Sequence, residues 1–174
     1  ATGLALTIDK AGFYGTGASN QPRGVVNYTG INAVDFAGAS SGGGSALPTY
    51  AEVVQMETEI ASDNADVDSM AYVMGSGMRG HLKTTEKFSG SNGQPIWEPG
   101  NTVNGYRSEV TNQVNAGDLI FGNWADVIVG MWGGLDITVD PYSNSTKGRL
   151  RIVTMQDVDI LLRRVESMCW GRDA

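Results

Sequence analysis

The sequence predicts an α+β chain, a mixed sheet with flanking helices, on three observations. Apolar residues recur at helical spacing in Tyr50–Ser62, with a capping signal at Thr49. Apolar and polar residues alternate at strand spacing over Leu135–Val139. Turn formers separate these segments, and glycine alone contributes 24 of 174 residues, about twice the usual share. A chain of this length can bury one sizeable core.

The densest apolar stretch is Asp118–Ser143. Leu119, Ile120 and Phe121 form a short strand closed by Gly122. Val127 to Trp132 form a second run, which Gly133 and Gly134 should close as a tight turn. Leu135, Ile137 and Val139 then alternate with Asp136, Thr138 and Asp140, the pattern of a strand with one face buried and one wet. Pro141 has no N–H to give and should end that ladder.

The remaining elements follow in order. Leu4, Ile8 and Ala11 share one face of a helix over Thr2–Ala11, with Gly12 as its stop. It lacks a capping residue at Ala1, so it reads as the last turns of a longer helix in a longer protein. Phe13–Gly30 is a tight loop around Asn20-Gln21-Pro22. Residues 37–46, AGASSGGGSA, form a flexible connection. Thr49 and Glu52 have capping-box spacing ahead of the Tyr50–Ser62 helix. Met70–Met74 reads as a strand, and Ser76 as the cap of a short helix through Met78, Leu82 and Lys83. Phe88–Gly105 is a loop or hairpin whose large apolar pair is Ile96 and Trp97. Tyr106–Val110 is a short strand. Beyond the polar loop Ser143–Gly148, an extended segment runs from Leu150 to Trp170, with a bulge or bend near Asp157.

Several chemistries find little support. The formal net charge of -7 argues against binding to nucleic-acid backbone, which needs a concentrated basic face. The arginines at 149, 151, 163, 164 and 172 are interspersed with acids and read as a solvated or subunit-facing surface. Gly15-Thr16-Gly17 lacks the third glycine or following Gly-Lys of a phosphate loop, and a helix, not a strand, precedes it. Asp63–Asp68 lacks the glycine and closing glutamate of a calcium loop. The one histidine, His81, beside Arg79 and Lys83, reads as a surface residue with no nucleophile or metal partner in sight. Asp136 and Asp140 share a strand face, where a solvated surface explains them more simply than a carboxylate pair. The one cysteine, Cys169, leaves no intramolecular disulfide and reads as a packed hydrophobe. No catalytic, cofactor or metal residue is assigned, and no apolar run reaches membrane-spanning length.

Three stretches in this order resemble the tailed-bacteriophage major capsid protein family, with its Hong Kong 97-like fold. Tyr14-Gly15-Thr16-Gly17 leading into Asn20-Gln21-Pro22-Arg23-Gly24-Val25 resembles the turn after that family's spine helix. Gly117-Asp118-Leu119 through Gly122-Asn123-Trp124 is the second stretch. Trp132-Gly133-Gly134-Leu135-Asp136-Ile137 ending in Asp140-Pro141-Tyr142 is the third. The resemblance covers nearly the whole chain and implies its C-terminal portion. Residues 1–30 would be the end of the spine helix and its turn, 31–47 the connection, 48–145 an axial-type domain, and 146–174 strands of the peripheral domain.

The family's arm, extended loop and most of the spine helix are expected upstream of Ala1, and Asn144 is given no crosslinking role. The implied function is a shell subunit that assembles with itself into hexamers and pentamers around packaged DNA, in the virion and, before that, the bacterial cytoplasm. A scaffold or prohead protease is an implied partner, and neither a membrane nor a cofactor is. Trp97, Met131 and Trp132 are candidate subunit contacts, with core packing as the alternative for each. Two other functions fit the sequence: a non-viral compartment shell of the same fold, and a carbohydrate-binding β-rich domain with a concave site at Trp97, Trp124 or Trp132.

Overall fold

The computed structural model describes residues 2–37, 46–67, 69–88, 90, 93–143 and 145–173. Most of the Gly/Ser connection, Asp68 and Asn144 lie outside these residues. Three helices, α1 (Thr2–Tyr14), α2 (Tyr50–Ser62) and α3 (Ser76–Thr84), accompany nine strands. The strands are β1 (Asn32–Phe36), β2 (Ala71–Met74), β3 (Trp97–Glu98), β4 (Thr102–Val103), β5 (Tyr106–Val110), β6 (Leu119–Gly122), β7 (Val127–Asp140), β8 (Arg151–Leu162) and β9 (Met168–Asp173). Seven of them form one mixed sheet in the order β1-β9-β6-β2-β5-β4-β3, and β7 and β8 form a separate two-stranded ribbon.

The sheet is buried on both faces at its centre, and β6 shows why. Its four residues are all buried, so a continuous apolar run, not an alternation, is what the strand requires. Leu119 and Phe121 face α2, where they meet Val53, Met56, Ile60, Tyr72 and Met74. Tyr72 stacks on Phe121 with ring centroids 4.1 Å apart and donates its hydroxyl to Val53 O. Ile120 faces the other way, into a second core with Val25, Val26, Val73, Leu162 and Met168. The capping box on α2 is present: Glu52 N donates to Thr49 Oγ1 while the Glu52 carboxylate accepts from Thr49 N. On α2 Met56 is buried and Ala61 exposed, the reverse of the expected apolar face.

Four expectations change. α1 runs through Gly12 to Tyr14, because Gly12 lies inside the helix, where a Cβ would stand 3.3 Å from Ile160 Cδ1; the missing side chain admits close packing. α3 is capped at Gly75, without a side-chain bond, and Ser76 is its first residue. Gly133 and Gly134 do not turn the chain: β7 passes through them as one strand, and they sit in a bulge opposite Gln156. The irregularity expected near Asp157 is therefore in place, with the extra residues on the facing strand. Lastly, residues 149–170 do not form one continuous extension. A 3-10 turn at Val165–Ser167 breaks it, and β9 enters the large sheet between β1 and β6.

The tight loop after α1 is built by close backbone approach. Gly24 N donates to Gly15 O at 2.8 Å, and Asn27 Nδ2 donates to the carbonyls of Tyr14 and Gly15. A Cβ at Gly24 would stand 2.4 Å from Phe13 O and 2.5 Å from Gly15 N, although its φ of -75° suits any residue. Gly24→Ala should therefore destabilise by sterics alone, by about 3 kcal/mol, the upper range for overpacking against groups that cannot yield. Urea unfolding checks this; a loss under about 0.5 kcal/mol, the scale of ordinary surface changes, would show the loop to be pliable.

Candidate functional site

The feature that the core does not account for is the β7–β8 ribbon. Val127 and Leu162 begin it at the sheet, and it runs in register out to Asp140 and Arg151. Leu135, Ile137 and Val139, expected to have one buried face, are 47%, 56% and 53% exposed. The alternation is real, but the protein supplies nothing to bury the apolar side. Ile152, Met155 and Leu161 on β8 are exposed as well. Only the proximal end is covered, by Ile8, Gly12 and Phe13 of α1 near Val127, Val129 and Ile160.

The two strands leave the sheet at one corner, and a polar knot ties their exits. Asp126, 3% exposed, ends the 3-10 turn Trp124–Asp126. Its Oδ1 accepts from Arg163 Nε and Nη2 at 3.0 and 2.6 Å, and its Oδ2 accepts from Asn123 Nδ2 at 3.0 Å. Backbone bonds double the tie: Asn123 N donates to Ser167 O, and Arg163 N to Asp126 O. Burial by itself would raise the Asp126 pKa, but Ser167, the Arg163 guanidinium and Asn123 outweigh it and hold the carboxyl below its usual range. Alongside, Trp124 Nε1 donates to Ala71 O, and the Tyr28 hydroxyl donates to Ile160 O while accepting from Leu162 N.

The candidate contact residues separate. Met131 and Trp132 stand on the ribbon, 65% and 58% exposed. The Trp132 indole folds over Gly130, where a Cβ would lie 3.0 Å from its Cη2. Trp97 is 8% exposed and packs in the α2-side core, with Lys83 Nζ 5.4 Å from its ring centroid. Trp124 is half-buried at the ribbon root, edge-on to Phe13. The three tryptophans of the sugar-site alternative thus lie in three different environments. The open groove beside Trp124, about 620 Å³, includes Arg107 and Glu109, which pair with each other.

Other residues singled out in the sequence are occupied. His81 is half-buried, not on the surface: its Nε2 lies 2.9 Å from Pro48 O, tying α3 to the loop before α2. Asp140 accepts from Ser143 Oγ, Ser143 N and Tyr142 N, which hold its carboxyl below the usual range and close the turn after β7. Burial pushes the Cys169 thiol up to about 12, so it packs as a hydrophobe. Among the described residues no three His, Cys, Asp or Glu side chains are grouped to hold a metal.

The Asp126 knot was not found from the sequence. Its one trace there is an acid just before an apolar run and an arginine just after another, which become partners only once the two strands pair.

This chain belongs to the phage capsid family, whose model matches residues 1–172. It is 37% identical over 171 residues to the major capsid protein of Halomonas phage phiHAP-1, a match that takes in 98% of this chain and 27% of that protein. The chain thus spans about a quarter of the length of that curated relative. The solved capsid of an empty GTA particle superposes with a TM-score of 0.68 at 17% identity, over 99% of this chain and 62% of that one. A Mycobacterium phage Ogopogo structure gives 0.68 at 14% identity, over 98% and 64%. A virus-like particle from Pyrococcus furiosus gives 0.56 at 15% identity, over 85% and 58%. The fold is therefore the Hong Kong 97-like α+β fold.

Asp126 makes stability acid-sensitive in a defined direction. Its folded pKa lies below the unfolded value of about 3.9, so its contribution is complete above that value and is lost as pH falls through the folded pKa. Asp126→Asn should cost about 1–3 kcal/mol at pH 7 and flatten the acid side of the stability profile. Urea unfolding from pH 7 down to about pH 2 measures both; parallel acid limbs in the two proteins would refute the assignment.

Proposed function

We propose that this protein is a structural subunit of a phage or prophage capsid shell, assembling with copies of itself around packaged DNA. The observation that carries the reading is the ribbon: a long apolar surface left open in the subunit, in a chain of this family. A monomeric protein rarely exposes such a surface, whereas an assembling subunit buries it against a neighbour. A two-stranded ribbon is also marginal alone and gains stability from a further layer or strand.

On this reading the role is mechanical, not catalytic. The seven-stranded sheet with α2 and α3 is the axial part, facing the capsomer centre. The ribbon and α1 belong to the peripheral part, and β9 returns from it to the axial sheet. Met131 and Trp132 are subunit contacts, while Trp97 supports the axial core. A net charge of -7 suits a container whose DNA is held by confinement without base or backbone readout. A scaffold or prohead protease would act on the assembling shell, in the host cytoplasm, before the virion is complete. Among the described residues no helix is long and apolar enough to cross a membrane. The 37% identity to a phage capsid protein favours this reading over a non-viral compartment.

Negative-stain electron microscopy of the protein expressed from its natural reading frame, together with its neighbouring genes, tests the role. Uniform shells, hexamers or pentamers are expected; a monomer at high concentration under those conditions would end the proposal. Met131→Asp and Trp132→Ser should leave unfolding stability within about 0.5 kcal/mol, since both side chains face solvent in the subunit, yet reduce particle yield severely. A stability loss matching the yield loss would make them core residues instead.

A further inference from the structure

β8 pairs with β7 on one side, and its other edge is free beyond Ile160. That edge has a sequence that reads as its own complement when reversed about Thr154. Arg149 and Arg151 on one side of Thr154 fall opposite Asp159 and Asp157 on the other. Between them Val153 falls opposite Met155, and on the alternate face Leu150 falls opposite Val158. Every charge meets its opposite. We propose that β8 of one copy pairs antiparallel with β8 of a second copy about Thr154, joining two ribbons into one four-stranded sheet.

The backbone points the right way. At the root, Leu162 N donates to the Tyr28 hydroxyl, which donates to Ile160 O. Residues 160 and 162 therefore turn their backbone groups away from β7. In an antiparallel strand this alternates, so Thr154 also directs its N–H and C=O outward. Thr154 against its own copy is then a hydrogen-bonded pair, exchanging both bonds across a two-fold axis. Tyr28 occupies the edge at 160–162 and confines the pairing to the stretch beyond.

The charges are available for it. Among the described residues Arg149, Asp157 and Asp159 make no ion pair, and Arg151 stands opposite Asp140 on β7 without closing a salt bridge. The edge of β7 offers no such match: it carries Asp136 and Asp140 and no Lys or Arg, so self-pairing there would bring acids to acids or leave them unmatched. An exposed strand edge without a protecting charge pattern invites any partner. On β8 the pattern selects a second copy in one register. A two-fold contact of this kind is self-complementary, so each favourable pair occurs twice.

The pairing rests on the shell reading for its setting, but its chemistry belongs to the strand itself. Thr154→Cys tests it directly. Hydrogen-bonded antiparallel partners have Cα atoms about 5.5 Å apart, within reach of a disulfide or a short thiol crosslinker. The T154C chain should give covalent dimers, with the unmodified chain, whose Cys169 is buried, as the blank. Arg151→Asp and Asp157→Arg should each raise the dimer dissociation constant about tenfold or more by sedimentation, because each sets two like-charged pairs in the contact. The double reversal, R151D with D157R, should restore it.

No crosslinking above the blank, or a double reversal as weak as the singles, overturns the pairing. Particles built from T154C subunits that stay uncrosslinked would overturn it and leave the shell reading intact. Crosslinked dimers of a protein that builds no particles would support the pairing and overturn the shell reading.

Discussion

Two strands leave one corner of a rigid sheet, and the buried carboxylate of Asp126 holds their exits together. The rest of the molecule depends on that tie. Without it the ribbon would have only its own cross-strand bonds and a few α1 contacts to fix its direction. A two-stranded ribbon twists and bends readily when isolated. The knot joins a side-chain ion pair to two backbone bonds, and Trp124 and Tyr28 brace it from either side. The body of the protein thereby sets where the exposed surface points, at a distance from any core that could position it by packing.

The body and the ribbon use opposite rules of burial. In the sheet, short strands with consecutive apolar residues are covered on both faces, and aromatic stacking around Tyr72 and Phe121 leaves little freedom. In the ribbon, long strands with alternating residues are covered on neither face over most of their length. The first is a finished object. The second is an unfinished one, and that asymmetry, more than any single residue, links the fold to a role in assembly.

Much of this was legible from the residues. The capping box at Thr49 and Glu52, the strands at 71–74, 106–110 and 119–122, and the end of β7 at Pro141 follow from local chemistry, and local chemistry decided them. The family turn was legible as well, and the structure supplies its cause: two glycines whose backbones approach too closely for a side chain. What failed was non-local. A period-two pattern says that two faces differ, not that either is buried within the same chain, so Leu135, Ile137 and Val139 were assigned to a core that does not exist. Gly133-Gly134 resembled a turn because a bulge uses the same residues. The path of β9 into the large sheet depends on its partners in β1 and β6, more than 130 and about 50 positions away, and no window along the chain contains them. Trp132 and Trp97 looked alike for the same reason: exposure is a property of the assembled sheet.

The place of β9 has a consequence for synthesis. It lies between β1 and β6, so the strand nearest one edge of the sheet has no neighbour until residues 168–173 have left the ribosome. Every long-range contact that closes the sheet must wait for that event, and topologies dominated by such contacts fold slowly. The ribbon, by contrast, can zip as soon as residue 162 is free. A nascent chain therefore carries its adhesive surface before it has a body to aim it. Timing between translation and folding, rather than affinity alone, then governs whether subunits meet as finished parts or as tangled ones.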